Sequence, residues 1–425
     1  MRRAVRRHAR CAGGGPPSAR HDGRMTIPGA WVRAARGAML LSPDGTPGTT
    51  VFAEMSALAA ATGAINLGQG FPDEDGPGEV LEAARAAISA GMNQYPPGRG
   101  TPGLRQAIAA HQARFYGMAI DPETEVLVTA GATEAIAATL LALVEEGDEV
   151  VTLEPFYDAY GALISLARGV HRTVPLRAPG FQPRLDDLRD AITDRTRVIL
   201  LNDPHNPTGT VLSREVRELV VELAIAHDVV IVTDEVYEHL VFDASHVPVA
   251  TLAGARERTV TISSGGKTFR TTGWKVGWLT APAHLVSAIL AVKQFLTFVN
   301  GAPFQPAIAT GLALPDRVYD GIADDLRHKR DILAAGLTAA GFRIHLPAAG
   351  YFIVADAAPL GFADARELCL RLPSLAGVVG VPLSAFCHAP LAAEHASLVR
   401  FAFCKRIDVL EEAARRLGAL APGTA

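Results

Sequence analysis

Between Glu125 and Tyr237 short apolar runs alternate with amphipathic stretches, and this alternation limits the possible folds more than any other feature of the chain. EVLVTA (125–130), DEVVTLEP (148–155), GVHRTVPL (169–176), TRVILLNDP (196–204) and VVIVTDEVY (229–237) read as strands. GATEAIAATLLALVEEG (131–147), residues 157–168 and SREVRELVVELAIAHD (213–228) carry the apolar spacing of helices. Apolar strands separated by helices pack into a mainly parallel sheet covered on both faces, so the expected class is α/β. Ligands in such sheets sit at the carboxyl ends of the strands. Thr133, Tyr157, Asn206, Asp234 and Lys267 fall at those ends.

The flanking segments have a different texture. Helices are expected at 45–64 (after a turn), 77–90, 101–117 and 284–298. Beyond Pro306, helices at 305–313 and 317–341 precede short strands in FRIHLP (342–347) and YFIVAD (351–356). A helix at 363–371, a strand around LVRFAFC (398–404) and a helix at 407–419 complete the pattern. The expected division is a large α/β domain over 76–305 and a smaller α+β domain built from 45–75 and 306–425.

Residues 1–44 read as an N-terminal extension, largely disordered, with Met25 or Met39 as candidate starts. Residues 1–24 hold seven arginines and one aspartate among Gly, Pro and Ala. No apolar run follows those arginines, which excludes a secretory signal there. No apolar run approaches the ~20 residues of a membrane span. A net charge of −4 argues against a nucleic-acid partner. Cys11, Cys369, Cys387 and Cys404 have neither metal-site spacing nor a disulfide pattern, which suits a reducing cytoplasm and predicts no metal centre.

The chemistry converges on Lys267, in Ser263-Ser264-Gly265-Gly266-Lys267, a segment read as a turn following a buried strand. A lysine in such a turn is ordinarily a solvated surface residue. The triplet Gly266-Lys267-Thr268 also matches the end of a nucleotide-binding loop, but that motif needs glycine where this chain has Thr261. A dry pocket and a neighbouring cation such as Lys275 would lower the amine's pKa from ~10.4 and make it a nucleophile.

Other residues supply what such an amine would work with. Gly131-Ala132-Thr133 opens a helix, where free N–H groups and the helix dipole bind anions; Ser264 and Lys275 add a hydroxyl and a cation to that anion. Asp234 ends an apolar strand, and a buried carboxylate needs a cationic partner. Asn206 is held in the loop Asp203-Pro204-His205-Asn206-Pro207-Thr208-Gly209 and could contact a ring oxygen. Tyr237 follows Asp234 on one helical turn and could donate to that oxygen. Tyr157 can stack on an aromatic ring. Arg400, inside an apolar strand, suits a bidentate grip on a carboxylate. The loop Gly68-Gln69-Gly70-Phe71-Pro72 can bring backbone against a ligand, with Gly70 as a candidate contact. Each residue alone has an ordinary structural explanation. One ligand, pyridoxal 5′-phosphate, explains all of them together.

From about Thr49 onward the chain resembles the fold-type I, class I/II aminotransferases. The resemblance rests on Asn206-Pro-Thr-Gly209, Asp234-Glu-Val-Tyr237, Ser264-Gly-Gly-Lys267, Gly273-Trp-Lys275-Val-Gly277 and Arg400. Gly68–Pro72 and Glu154-Pro155-Phe156-Tyr157 are similar to the kynurenine/glutamine/methionine aminotransferase branch. NLGQGFPDEDGP (66–77), GAPFQPA (301–307) and PLSAFC (382–387) are most similar to the N-succinyldiaminopimelate aminotransferases of actinobacteria.

The resemblance implies ping-pong exchange of an amino group between an amino acid and a 2-oxo acid. Lys267 would be the catalytic base, and Arg400 with Asn206 would bind the substrate carboxylate. It further implies a homodimer in which Tyr95 reaches the phosphate of the neighbouring subunit. N-succinyldiaminopimelate with glutamate is the expected substrate pair. Kynurenine, glutamine or methionine transamination and cysteine-conjugate β-elimination are the alternatives. Many relatives carry arginine where this chain has Lys275, which exchanges a bidentate contact for a point charge.

Overall fold

The computed structural model describes residues 29–42, 44–418 and 420. A seven-stranded sheet is its centre: β1 (Val126–Ala130), β2 (Glu149–Glu154), β3 (Val170–Pro175), β4 (Thr196–Asn202), β5 (Val230–Asp234), β6 (Thr259–Ser264) and β7 (Val276–Thr280). Their spatial order is β1-β7-β6-β5-β4-β2-β3. All neighbours are parallel except β7, which runs antiparallel to both β1 and β6. The carboxyl ends of β1, β4, β5 and β6 and the start of β7 therefore share one edge of the sheet.

Side-chain alternation explains why these strands read as continuous apolar runs. In β4, Ile199 and Leu201 enter one core while Val198 and Leu200 enter the core on the opposite face. In β2, Val151 and Leu153 face the first core and Val150 faces the second. Both faces are buried, as the period of two requires for a covered sheet.

A second sheet is antiparallel: β8 (Arg343–His345), β9 (Phe352–Asp356), β10 (Val381–Pro382) and β11 (Leu398–Ala402), in the order β10-β11-β9-β8. Arg400 on β11 is paired with Val354 on β9 and Val381 on β10. The helix Val51–Thr62 packs nearby. Thr50 caps it by accepting from the Ala53 N–H, and Gly63 closes it at φ +68°. That φ is the left-handed conformation that glycine adopts without a Cβ penalty.

Several expectations are revised. Ser263 and Ser264 are not in a turn; they finish β6, and Gly265–Thr268 forms one helical turn directly after it. Residues after Asp234 form hydrogen-bonded turns rather than a helix, with Glu238 N–H donating to Glu235 O and Leu240 N–H to Tyr237 O. The helix expected at 284–298 ends at Lys293, and Phe298 adopts φ +62°.

Of the 1–44 extension, residues 1–28, Met25 among them, lie outside the described residues. Trp31–Gly37 is helical. Gly37 meets Gly161 so closely that a Cβ on either would lie 2.1 Å from the other's carbonyl oxygen. The helix Phe304–Leu312 packs Ala307, Ile308 and Leu312 against Val80, Leu104 and Ile108. We propose that the smaller unit begins after it, at the helix Asp316–Ala339, rather than at 306.

Candidate active site

A cavity of about 330 Å³ opens at the shared edge of the large sheet. Lys267, Asp234, Asn206, Tyr237, Tyr157, Ser264, Ala132, Thr133, Lys275, Gly70 and Arg400 all line it. They come from both sheets and from segments more than 300 residues apart in sequence. Tyr95 does not line it. It is 83% exposed, and its ring meets Phe298 edge-on, with centroids 5.7 Å apart.

Lys267 projects from the single helical turn after β6. Its Nζ donates to Gly70 O at 3.2 Å and lies 5.5 Å and 5.2 Å from the centroids of the Tyr237 and Tyr351 rings. Desolvation lowers its pKa, Cys404 and Asp234 oppose that shift, and Arg400 and Lys275 add to it. The amine is thus closer to its nucleophilic neutral form than a surface lysine is.

Asp234 ends β5 and is 6% exposed. Its Oδ2 accepts from the Tyr160 hydroxyl at 2.6 Å, while Oδ1 has no partner. Burial pushes its pKa up to about 6, against the lowering effects of Tyr160, the Val236 N–H and Lys267. A carboxylate with one satisfied and one orphaned oxygen, lining a cavity, is suited to a cation inside that cavity.

The anion cup forms where β1 turns into the helix Gly131–Leu143. Gly131 has φ +75°, and a Cβ there would stand 3.0 Å from the Lys275 Nζ. A Cβ on Gly277 would stand 2.6 Å from Gly131 C and 2.8 Å from Ala132 N. Glycine at both positions lets the β7 backbone approach the helix start and leaves its N–H groups open. Lys275 itself has φ +53°, and the Ser264 hydroxyl donates to Val276 O at 3.5 Å. Burial raises the pKa of Tyr157, which lines the cavity beside this cup.

Arg400 is 1% exposed. Its Nη1 donates to Asn206 Oδ1 at 3.2 Å and its Nη2 to Gly68 O at 2.8 Å. Its Nε has no partner, and among the described residues no carboxylate pairs with it. The guanidinium stacks 3.9 Å from the Phe352 centroid, with Phe386 at 4.6 Å and Phe52 at 5.2 Å. Burial lowers its pKa to about 10, so it stays charged at neutral pH. The Asn206 N–H donates to Asn202 Oδ1 at 2.6 Å, which fixes the loop.

Sequence reasoning did not single out Tyr160, Asn202 or the aromatic shell of Phe52, Phe352 and Phe386. Tyr160 lay three residues beyond Tyr157 on one helix, a spacing that could have flagged it. The shell comes from three distant segments and left no local signal. Arg99 and Arg270, which lie in loops near the site, face elsewhere. Arg99 donates to Glu123 O at 2.8 Å, and Arg270 pairs with Glu74 at 2.9 Å and with Asp325. Away from the cavity His111, Glu238 and His239 meet. Hydrogen bonds hold them: His111 Nε2 is 2.6 Å from His239 Nε2, and Glu238 accepts from Tyr116 at 2.6 Å and from Ser263.

Lys267, Asp234 and Arg400, three desolvated charged groups from distant parts of the chain, meet in this one cavity. The chain belongs to the class I and II aminotransferases, whose family model matches residues 62–417. It is 55% identical over 383 residues to a probable N-succinyldiaminopimelate aminotransferase of Mycobacterium tuberculosis, covering 88% of this chain and 96% of that one. The solved structure of N-succinyldiaminopimelate aminotransferase from that species superposes with a TM-score of 0.85, at 54% identity, covering 88% of this chain and 97% of that one. A methionine aminotransferase of Escherichia coli is 40% identical, covering 87% of this chain and 95% of its own. A kynurenine–oxoglutarate transaminase of Mus musculus is 36% identical, covering 86% of each.

Family membership implies pyridoxal phosphate as cofactor. The residues present fit it: the orphaned Asp234 Oδ1 offers a partner to a protonated ring nitrogen, and the glycine-lined cup offers N–H groups to a phosphate. Among the described residues, no helix is long and apolar enough to cross a membrane.

Proposed function

We propose that this aminotransferase uses Lys267 as its catalytic base and exchanges an amino group between N-succinyldiaminopimelate and 2-oxoglutarate, glutamate being the donor in the opposite direction. The cofactor would be held by Ala132, Thr133, Ser264 and Lys275 at its phosphate, by Asp234 at its nitrogen, by Asn206 and Tyr237 at its ring oxygen, and by Tyr157 against its face. When bound it supplies a carbonyl for covalent attachment and an electron sink.

The protein's own part is to bind, orient and move protons. Arg400 and Asn206 take the substrate α-carboxylate, the anion that this buried guanidinium lacks among the described residues. Lys267 Nζ would take the proton from Cα of the amino-acid substrate and, in the opposite half of the exchange, return a proton to Cα of the carbon skeleton that arrives as the 2-oxo acid. Its lowered pKa is the observation that carries this reading. Asp234 stays ionised once a cation faces its free oxygen. Tyr237, whose pKa burial raises, stays protonated and donates.

The experiment is Lys267→Ala in the cofactor-loaded protein, with glutamate-linked transamination measured by single turnover and steady state. Transfer should fall by at least ~1000-fold, the middle of the range for removing a positioned base. Turnover within tenfold of wild type would remove Lys267 from the mechanism.

The 55% identity to the mycobacterial protein supports the succinylated substrate. A second reading has its own observation. Phe52, Phe71, Ile136 and Phe352 give the cavity an apolar lining, and among the described residues the cations that line it are Lys267, Lys275 and Arg400. That wall favours methionine, kynurenine or glutamine as donor, with cysteine-conjugate β-elimination as a side reaction. Side-by-side kcat/KM values separate the two. A roughly 100-fold preference for N-succinyldiaminopimelate, about 2.7 kcal/mol, selects the first; parity or a preference for methionine selects the second, and pyruvate release marks elimination.

A homodimer in which Tyr95 serves the neighbouring phosphate completes the proposal. The exposure of Tyr95 beside Phe298 supports it. The free thiols of Cys369, Cys387 and Cys404 support a cytoplasmic setting.

A further inference from the structure

The loop after the two-residue strand Ile65–Asn66 gives up its carbonyls, one after another, to groups from elsewhere. Ala402 N–H donates to Leu67 O at 2.6 Å. Arg400 holds Gly68 O and Lys267 holds Gly70 O. Lys405 donates to Phe71 O at 2.7 Å, and Arg406 N–H to Asp73 Oδ1 at 2.6 Å. Two of these cations are the ones whose chemistry must be redirected to substrate and cofactor. With a substrate carboxylate on Arg400 and the cofactor on Lys267, their bonds to the loop would weaken. The Lys405 contact does not depend on the cavity, because Lys405 does not line it.

Lys405 is also unusual in itself. It is 6% exposed, and its ammonium lies 4.0 Å from the centroid of the Phe71 ring whose carbonyl it binds. Phe71 lines the cavity yet is 45% exposed. A large apolar side chain that exposed, at a cavity mouth, keeps one orientation only if something holds it. A cation on the ring face and a charge-assisted bond to the same residue's carbonyl do so together. Gly70 presses the loop from the other side, where a Cβ would fall 2.1 Å from the Phe352 ring.

We infer that Lys405 is a positioning residue that fixes Phe71 as the specificity wall for the substrate side chain. This rests on the aminotransferase reading of the cavity. Substrates with apolar side chains pack against Phe71, and Lys405 keeps that wall in place while Arg400 and Lys267 change partners.

The test uses the cofactor-loaded full chain as wild type, Lys405→Met, Lys405→Arg, Phe71→Ala and the double variant Lys405→Met/Phe71→Ala. Two quantities are read. One is the kcat and KM of transamination with methionine and with glutamate. The other is the dissociation constant of α-methyl-methionine, which binds as a substrate does but has no Cα proton to lose. Lys405→Met should raise KM and the dissociation constant about tenfold for the methionine ligands and less than threefold for glutamate, with kcat within threefold and the cofactor absorbance unchanged. Lys405→Arg should restore most of the loss. In the Phe71→Ala background, removing Lys405 should add less than twofold. Full additivity there, equal losses for glutamate and methionine, or a loss confined to kcat would overturn the inference. Absence of transamination in the wild type would instead sink the functional reading, while the dissociation constants would still score the role of Lys405.

Discussion

At the scale of single residues, the site is organised by charges that burial leaves incomplete. Asp234 is the sharpest case. Its folded pKa of about 6 lies above the ordinary ~3.9 of an aspartate. A raised carboxylate pKa means the folded protein without cofactor binds the proton more tightly than the unfolded chain does. The corresponding stability is present below the unfolded value and is lost as pH rises through about 6. The loss amounts to about 3 kcal/mol at most. A cationic ring nitrogen beside Oδ1 would remove that penalty. Asp234→Asn in the cofactor-free protein should therefore melt at or above the wild-type temperature at pH 7.5 and match it near pH 4. With cofactor the order should reverse, with the variant showing little stabilisation. Thermal scans of both forms across that pH range decide it, and a cofactor-free variant that melts well below wild type at pH 7.5 would show that Asp234 serves packing instead.

At the scale of elements, the cavity is made by the order of strands rather than by any one of them. Because β7 reverses direction, Lys275 at its start reaches the same edge as Gly131 at the end of β1. The contact between them has no room for a side chain at Gly277. Gly277→Ala should force the β7 backbone away from the helix start and weaken cofactor binding by roughly 1–3 kcal/mol, about fivefold to 150-fold. Equilibrium dialysis or fluorescence titration of the cofactor measures it, and unchanged affinity would mean the cup does not bind the phosphate. The parallel strands and their helices were legible in the sequence because strands buried on both faces read as unbroken apolar runs. β7 was not, since its GWLT reads as the tail of the Lys267 segment. Ser264 was read into a turn because Ser-Ser-Gly-Gly is turn chemistry in isolation, whereas the β7 ladder keeps it in a strand. The candidate residues were legible as chemical types that demand partners. The partners were not: Tyr160 for Asp234 and the Phe52, Phe352 and Phe386 shell for Arg400 are set by contacts that no local pattern encodes.

At the scale of the whole molecule, one candidate residue stands apart from the cavity it was expected to serve. Tyr95 lies with Phe295, Leu296 and Phe298 among the most exposed large apolar side chains. The two loops are nonetheless fixed. Lys293, 1% exposed, donates to Gly98 O at 3.1 Å and to Phe298 O at 2.7 Å. Thr297 N–H donates to Glu134 Oε1 at 3.2 Å, one residue from the anion cup. The exposed Tyr95 and Phe298 rings meet edge-on, and we propose that a second copy of the chain covers this apolar surface. Coverage by a second copy would bring its Tyr95 toward this cavity. Phe295→Asp should then shift the protein toward monomer in sedimentation and weaken cofactor binding in parallel. Complementation is the stronger test. Tyr95→Ala and Lys267→Ala chains should each be nearly inactive as homodimers. Unfolding and refolding them together should create hybrids with one site that has both Lys267 and the neighbour's Tyr95. Activity of the mixture well above the sum of the parents requires the tyrosine to act across the interface. A mixture no better than that sum would place Tyr95 outside the neighbouring site and leave the apolar patch to another partner.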